Sequence, residues 1–290
     1  MTTIPDLHVG HGITLGPVTM FPVWADAAPM RDVVTGTAAR VDVTELADGA
    51  AVPHLTITNL GPKTALLLEG ELLEGGLQTR ALAFDLLIAS RTSAVVDVAC
   101  VEHGRWGGTS SHDRRARRAS ASVQHQLRGD KTSRQHDVWA SVARYDRATG
   151  PTRTGSFADH LDRLADNDVA AARVLPGQTG VITGVAGWPL TIELFGSPPA
   201  LLAHLPGILS AARLDALLAA RAEPVPARRA RRFAAAVTGL PLDFTPVHAG
   251  DGHAAAGHAD NIAARGIATP DGALAHLSAL NLRHELIGAA

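Results

Sequence analysis

Residues 64–90 read TALLLEGELLEGGLQTRALAFDLLIAS. Two apolar runs, TALLLEG (64–70) and RALAFDLLIAS (80–90), flank GELLEGGLQTR (70–80), which is dense in carboxylates and glycine. Short apolar or β-branched runs bounded by Gly, Pro, Asn or Ser read as strands. ITLGPVTMFPVW (13–24), VPHLTITNL (52–60) and AVVDVACVE (94–102) have the same character, and NLGPK at 59–63 separates two of the runs. Five such runs at this spacing predict an antiparallel sheet or sandwich-like N-terminal half.

Beyond residue 104 the chemistry changes. Between Gly104 and Arg134 lie eight basic residues (Arg105, Arg114, Arg115, Arg117, Arg118, Arg128, Lys131 and Arg134) against two acidic ones, Asp113 and Asp130. Large apolar residues are scarce there, so a mobile loop or a short exposed helix is expected. A solvated loop is favoured over a site for a nucleotide pyrophosphate or RNA, because aromatic interleaving stops at Trp106. A helix is expected over 134–147, with Val138, Trp139 and Val142 on one side, and another over SFADHLDRLADNDVAAARVL, capped by Thr154 or Ser156. GVITGVAGWPLTIELF (180–195) reads as a hairpin turning near Gly187. Pro198 and Pro199 open a helical stretch over 200–221, and a basic amphipathic helix runs to about Val237. NIAARGIATPDGALAHLSALNL (261–282) reads as a hairpin around Pro270-Asp271-Gly272. The fold class is α+β: sheet first, helices in the middle, further β-hairpins in the C-terminal half. Residues 1–290 are expected as a single domain that divides, if at all, into β-rich subdomains near 1–130 and 131–290.

Composition narrows the function. Hydrophobic residues are 46% and charged residues 19% of the chain, which is globular and not disordered. The net charge of −2 argues against bulk polyanion binding, so nucleic acid is an unlikely partner. Cys100 is the single cysteine, which excludes an internal disulfide and a cysteine-rich zinc site, and its valine neighbours favour a buried inert thiol over a nucleophile. No secretory signal opens the chain and no apolar segment is long enough to span a membrane, so a cytoplasmic protein is expected.

The candidate site starts from Glu69, Glu71 and Glu74, followed by Gln78 and Arg80. In an extended stretch Glu69 and Glu71 face one side. Gly75-Gly76 permits a turn that brings Gln78 and Arg80 back towards them. The end of the 94–102 run adds Glu102, Arg105 and Trp106. Clustered carboxylates can bind a divalent cation or act as acid and base. Arg80 and Arg105 can hold a phosphate, and Trp106 offers a ring face. The alternative is that these charges pair with one another as scaffold. VHAGDGHAAAGHAD holds His253, His258 and Asp260 as metal candidates, though it reads better as a Gly/Ala-rich loop. His276 lies in an apolar strand, where a core histidine and a catalytic one are both open.

Glu69 through Arg80 and Cys100 through Trp106 carry a resemblance. GELLEGGLQTR and CVEHGRW are similar to the "GEELIGAKQNR" and "CVEQGRW" signatures of a bacterial family named for its association with ADP-ribosylglycohydrolases and rhodanese-phosphatases. Gln135 with Trp139 in RQHDVW, GQTGVITGV and the terminal AHLSAL extend the likeness over roughly 10–282. Within these segments Gln135 and His276 join the ligand-binding candidates. Leu72 stands where the family carries an acidic residue, and the lysine before Gln78 is absent.

The resemblance implies a link to NAD-derived or ADP-ribosyl metabolism. The leading expectation is an enzyme or processing factor for an ADP-ribose-like or other phosphorylated nucleotide-derived ligand, with hydrolase- or lyase-like acid–base chemistry. Glu69, Glu71, Glu74 and Glu102 would supply acid, base or metal ligation, and Gln78, Arg80, Arg105 and Trp106 would orient the ligand. The rivals are a non-catalytic scaffold that docks partner enzymes and a tailoring enzyme of a specialised pathway. A divalent metal, a homo-oligomer and a partner enzyme are compatible associations.

Overall fold

The computed structural model describes residues 4–27, 30–164 and 172–288. The chain is α+β and divides into two compact units.

The first unit comprises Met1–Arg31, Asp166–Val247 and Gly252–Ala290. Its nine-stranded antiparallel sheet runs in the order Leu7–Val9, Val18–Ala25, Gly180–Val185, Trp188–Phe195, Leu274–Asn281, Ile262–Ala268, His253–Ala259 and Asp243–Pro246, with Ile13–Leu15 beside Val18–Ala25. The 180–195 hairpin turns at Ala186-Gly187, both at positive φ (51° and 78°), as a tight two-residue hairpin requires. Gly180–Val185 is buried at every position, and its one polar side chain, Thr183, shares a hydrogen bond with the Thr191 hydroxyl at 2.7 Å. The helix Ala227–Thr238 lays Ala230, Phe233, Ala234 and Val237 on Phe21, Ile192, Leu277 and their neighbours. Those four positions follow the helical repeat, so the arginines between them are left on the outside. The helix Pro198–Ala216 begins at the Pro pair and packs on the central strands.

The second unit comprises Asp32–Ala165 and His248–Asp251. A six-stranded antiparallel sheet has the order His112–Asp113, Leu72–Gly75, Arg80–Leu82, Ser93–Cys100, His54–Asn59 and Val41–Thr44. Its two edges meet. Thr44 bridges Ser111, and Glu45 N donates to Ser110 O at 2.9 Å, so the sheet closes into a small barrel. Val43, Leu55, Ile57, Leu73, Leu82, Val96 and Val98 fill its interior. A three-stranded sheet, Leu86–Ile88, Thr64–Leu67 and Val33–Thr35, completes this core.

Five elements differ from the sequence expectation. The 13–24 run is two strands that pair with each other in the sheet of the first unit, apart from the other N-terminal runs. The 80–90 run is two strands in two sheets, broken where the Asp85 carboxylate accepts from Glu69 N at 2.7 Å. The helix expected from 156 is capped by Ser156 and spans Phe157–Asp162; much of the remaining stretch, 165–171, lies outside the described residues. The expected loop around His253 is a strand paired on both sides. Its Ala/Gly text hid the strand, yet Gly257 needs to be small: a Cβ there would sit 2.8 Å from Leu240 and Leu242 carbons. The expected mobile basic loop instead runs as an ordered arm beside 70–76 and then forms the largely buried helix Ala121–Leu127. Among the described residues no helix is long and apolar enough to cross a membrane.

Candidate functional site

Alternation along the barrel strands places a polar layer on top of the apolar plug. Val43, Leu82 and Val98 face inward, and side chains two residues along share their face. Those positions are Glu45, Arg80 and Cys100. Arg80 is paired across the sheet with Leu73 and with Cys100. His112 joins this layer from the closing strand, where its ring lies against Gly76. Gly76 has φ +56°, and a Cβ there would fall 2.1 Å from the imidazole, so no other residue fits.

The hydrogen-bond account of this layer does not close. Arg80 has no solvent exposure; it donates through Nε to Val52 O (3.1 Å) and through Nη1 to Gln78 Oε1 (2.9 Å), while Nη2 has no partner. Glu45 is 8% exposed; its Oε1 is 3.3 Å from the donating Leu77 N and 3.2 Å from His112 Nε2, while Oε2 has no partner. His112 Nδ1 in turn lies 3.3 Å from Leu73 O. Only a protonated ring could donate to both oxygens, yet burial pushes the His112 pKa down against the pull of Leu73 O and Glu45. Burial likewise lowers Arg80, opposed by Cys100 and Glu45. A buried donor and a buried acceptor of opposite charge are thus left unsatisfied at one end of the barrel, where small barrels commonly take ligands.

Glu102 and Arg105 form a clamp beside it. Arg105 donates to both Glu102 oxygens (2.8 and 2.7 Å) and to the carbonyls of Gly75 (2.9 Å), Gly76 (2.7 Å) and Gly107 (2.8 Å). Thr79 N and Oγ1 (2.9 Å each) and Thr154 Oγ1 (2.8 Å) also donate to Glu102. Burial pushes this carboxyl up, but the Arg105, Thr79 and Thr154 bonds outweigh it and hold the pKa at about 2. The Glu102 bonds raise Arg105 in return. The clamp ties the 75–76 turn to the loop that carries Trp106, which is 55% exposed with its ring centroid 5.8 Å from Arg80 Cζ. Gln78 adds a bond from Nε2 to Glu102 O at 3.3 Å.

The remaining candidates are dispersed. Glu71, 2% exposed, accepts from Arg114 Nε at 2.8 Å and from Arg114 Nη2. Glu69 Oε1 accepts from Arg128 Nε at 2.7 Å, and Arg118 Nε donates to Glu69 O at 3.1 Å. Glu74 lies 3.5 Å from Arg117 Nε and 3.8 Å from Arg115 Nη1; burial raises its pKa against both. The basic segment is therefore held by carboxylates more than forty residues away, which a local reading of its composition could not detect. Gln135 clamps the backbone of Cys100, accepting from its N (2.9 Å) and donating to its O (2.8 Å). Burial raises the Cys100 thiol.

His276 belongs to the first unit, with Nε2 2.8 Å from Glu193 Oε2. His253 and His258 lie on the strand His253–Ala259, with Asp260 in the turn after it. Among the described residues no group of three or more His, Cys, Asp or Glu side chains is arranged to hold a metal. Glu45 and His112 were not expected from sequence. Glu45 carries a usable signal, a charge at an inward position of the alternating VDVTE, whereas His112 carries none.

A family model for the ARG and Rhodanese-Phosphatase-superfamily-associated Protein domain matches residues 6–280. No curated protein and no solved structure matches the chain.

Proposed function

This chain belongs to the family associated with the ADP-ribosylglycohydrolase and rhodanese-phosphatase superfamilies, and from that premise we propose that it binds an ADP-ribose-like or other phosphorylated nucleotide-derived ligand at the polar end of the barrel. The observation that carries this reading is the pair of buried, unsatisfied groups, Arg80 Nη2 and Glu45 Oε2. Leaving such groups unpaired is costly, and a ligand that offers an acceptor to one and a hydroxyl to the other recovers that cost. Arg80 takes the phosphate or another acceptor oxygen of the ligand. Glu45 takes a ribose hydroxyl. Trp106 stacks on the ring, and Gln78 fixes the Arg80 guanidinium. Glu102 and Arg105 position the Trp106 loop. Glu69, Glu71 and Glu74 hold the 105–134 arm. If chemistry follows binding, the neutral His112 beside Glu45 is the group placed to accept a proton.

Calorimetric titration of the full chain with ADP-ribose, ADP and ribose 5-phosphate tests this. Trp106→Ala changes an exposed residue, so it should fold normally and lose affinity for the ring-bearing ligands by about tenfold or more, the order of one base stacked on an aromatic. Glu45→Gln should weaken all ligands that bring a hydroxyl. Unchanged affinity in both variants overturns the assignment. A second reading, a non-catalytic protein that docks a partner enzyme, draws on one observation: Glu69, Glu71, Glu74 and Glu102 are each engaged by arginine. Absence of heat with every nucleotide ligand would favour it over the first.

A further inference from the structure

The geometry points to a second anion site in the first unit, a cavity between the helix Ala227–Thr238 and the strand Trp188–Phe195 that takes a nucleoside di- or triphosphate. The cavity holds about 360 Å³ and is lined by Arg228, Arg229, Arg232, Trp188 and Asn261 among others. It stands apart from the barrel reading above and draws on none of its residues.

Three features support it. The helix text ARRARRF places Arg228, Arg229, Arg231 and Arg232 within five positions. Packing of Ala230, Phe233, Ala234 and Val237 on the core turns these arginines outward, and Arg228, Arg231 and Arg232 are exposed. Among the described residues none of these three has an ion pair, and Glu223, the acidic side chain near the turn, pairs with Arg221 at 3.6 Å. Like charges three and four residues apart repel, and cations in the first turn of a helix also oppose its dipole. Arg228, Arg231 and Arg232 thus form a positive cluster that, among the described residues, no carboxylate pairs. An anion in the cavity removes that repulsion.

The second feature is the platform. Arg229 donates to Gly187 O at 2.6 Å and lies 3.7 Å from the centroid of Trp188, which is 52% exposed. One guanidinium is thus fixed and an indole is held at the cavity wall with surface still open to a ring. The third feature is the balance of charge. The chain carries −2 overall, which disfavours a long polyanion while leaving a local cluster free to hold a compact one. Guanidinium pairs match phosphate oxygens, and an exposed indole matches a base.

Thermal shift and tryptophan fluorescence of the full chain test the proposal, with inorganic pyrophosphate, ADP and adenosine as probes. Pyrophosphate and ADP should raise the melting temperature, ADP should bind more tightly than pyrophosphate, and adenosine should bind weakly. The double variant Arg228→Ala/Arg232→Ala should melt no lower than the parent without ligand, and should lose affinity for ADP and pyrophosphate by about tenfold or more. Trp188→Ala should lose the advantage of ADP over pyrophosphate and retain pyrophosphate. Loss of pyrophosphate affinity in the double variant, whose two arginines lie in the first unit, separates this site from the barrel. Unchanged pyrophosphate affinity in the double variant overturns the site. A single-stranded RNA oligomer that outcompetes ADP and is lost in the double variant overturns the nucleotide assignment in favour of nucleic acid.

Discussion

Replacing Glu71 by Gln leaves the side-chain shape nearly intact and removes one charge from a buried pair. Glu71 is 2% exposed and its carboxylate receives Arg114 Nε at 2.8 Å, Arg114 Nη2 and Leu68 N at 3.2 Å. The Arg114 side chain is itself only 10% exposed. After the substitution its charge remains, with the carbonyls of Gly36 (3.3 Å) and Ala39 (3.2 Å) as its other neighbours. Stranding one member of a buried ion pair costs ~3–5 kcal/mol. At roughly 2–4 °C per kcal/mol for a domain of this size, the melting temperature should fall by roughly 6–20 °C. Differential scanning fluorimetry of Glu71→Gln in the full chain measures this. The double variant Glu71→Leu/Arg114→Met should recover most of the loss, because removing both charges spares the stranded one. A melting temperature of Glu71→Gln within about 2 °C of the parent would refute the reasoning and return Glu71 to the set of groups held ready for a ligand.

Three further outcomes follow from the same geometry. Glu102 has its pKa held at about 2, below the ordinary value of 4.5, so its contribution is present above pH 4.5 and is lost as pH falls through about 2. That contribution is on the order of 3 kcal/mol, and Glu102→Gln should flatten the acid limb of a plot of melting temperature against pH. Glu74 is shifted the other way, raised mainly by burial, so what it contributes is present below its ordinary pKa and lost as pH rises; Glu74→Gln should therefore be neutral or stabilising at pH 7, and a large loss in a thermal melt would contradict this. Cys100, buried with its thiol raised by burial, should resist a thiol-reactive chromogen in the native protein and react once urea unfolds the chain.

Much of the architecture was legible locally. The apolar runs at 52–60 and 94–102 contain strands, the 180–195 and 261–282 hairpins turn where Gly187 and Gly272 take positive φ, and the Pro pair opens the long helix. These features depend on side-chain alternation, turn chemistry and caps, which act over a few residues. The family resemblance was legible for the same reason, since its motifs are contiguous. Trp106 and Arg80 were singled out from sequence, and the fold brings them within 5.8 Å.

The partners of the charges were not legible. The basic composition of 105–134 points to a solvated loop when read alone, yet Arg114, Arg118 and Arg128 complete a network with Glu69 and Glu71 across more than forty residues of chain. Nor could the sequence show that Thr44 meets Ser111, the contact that closes the barrel and brings Glu45 and His112 into the layer that contains Arg80. By itself the sequence determined which residues are apolar, where the chain turns and which charges exist. Tertiary structure alone decided which charges neutralise one another and which, like Arg80 Nη2 and Glu45 Oε2, are buried without a partner. Pairing across a closed sheet depends on loop closure and register between distant strands, and neither leaves a periodic trace in the text of any one segment.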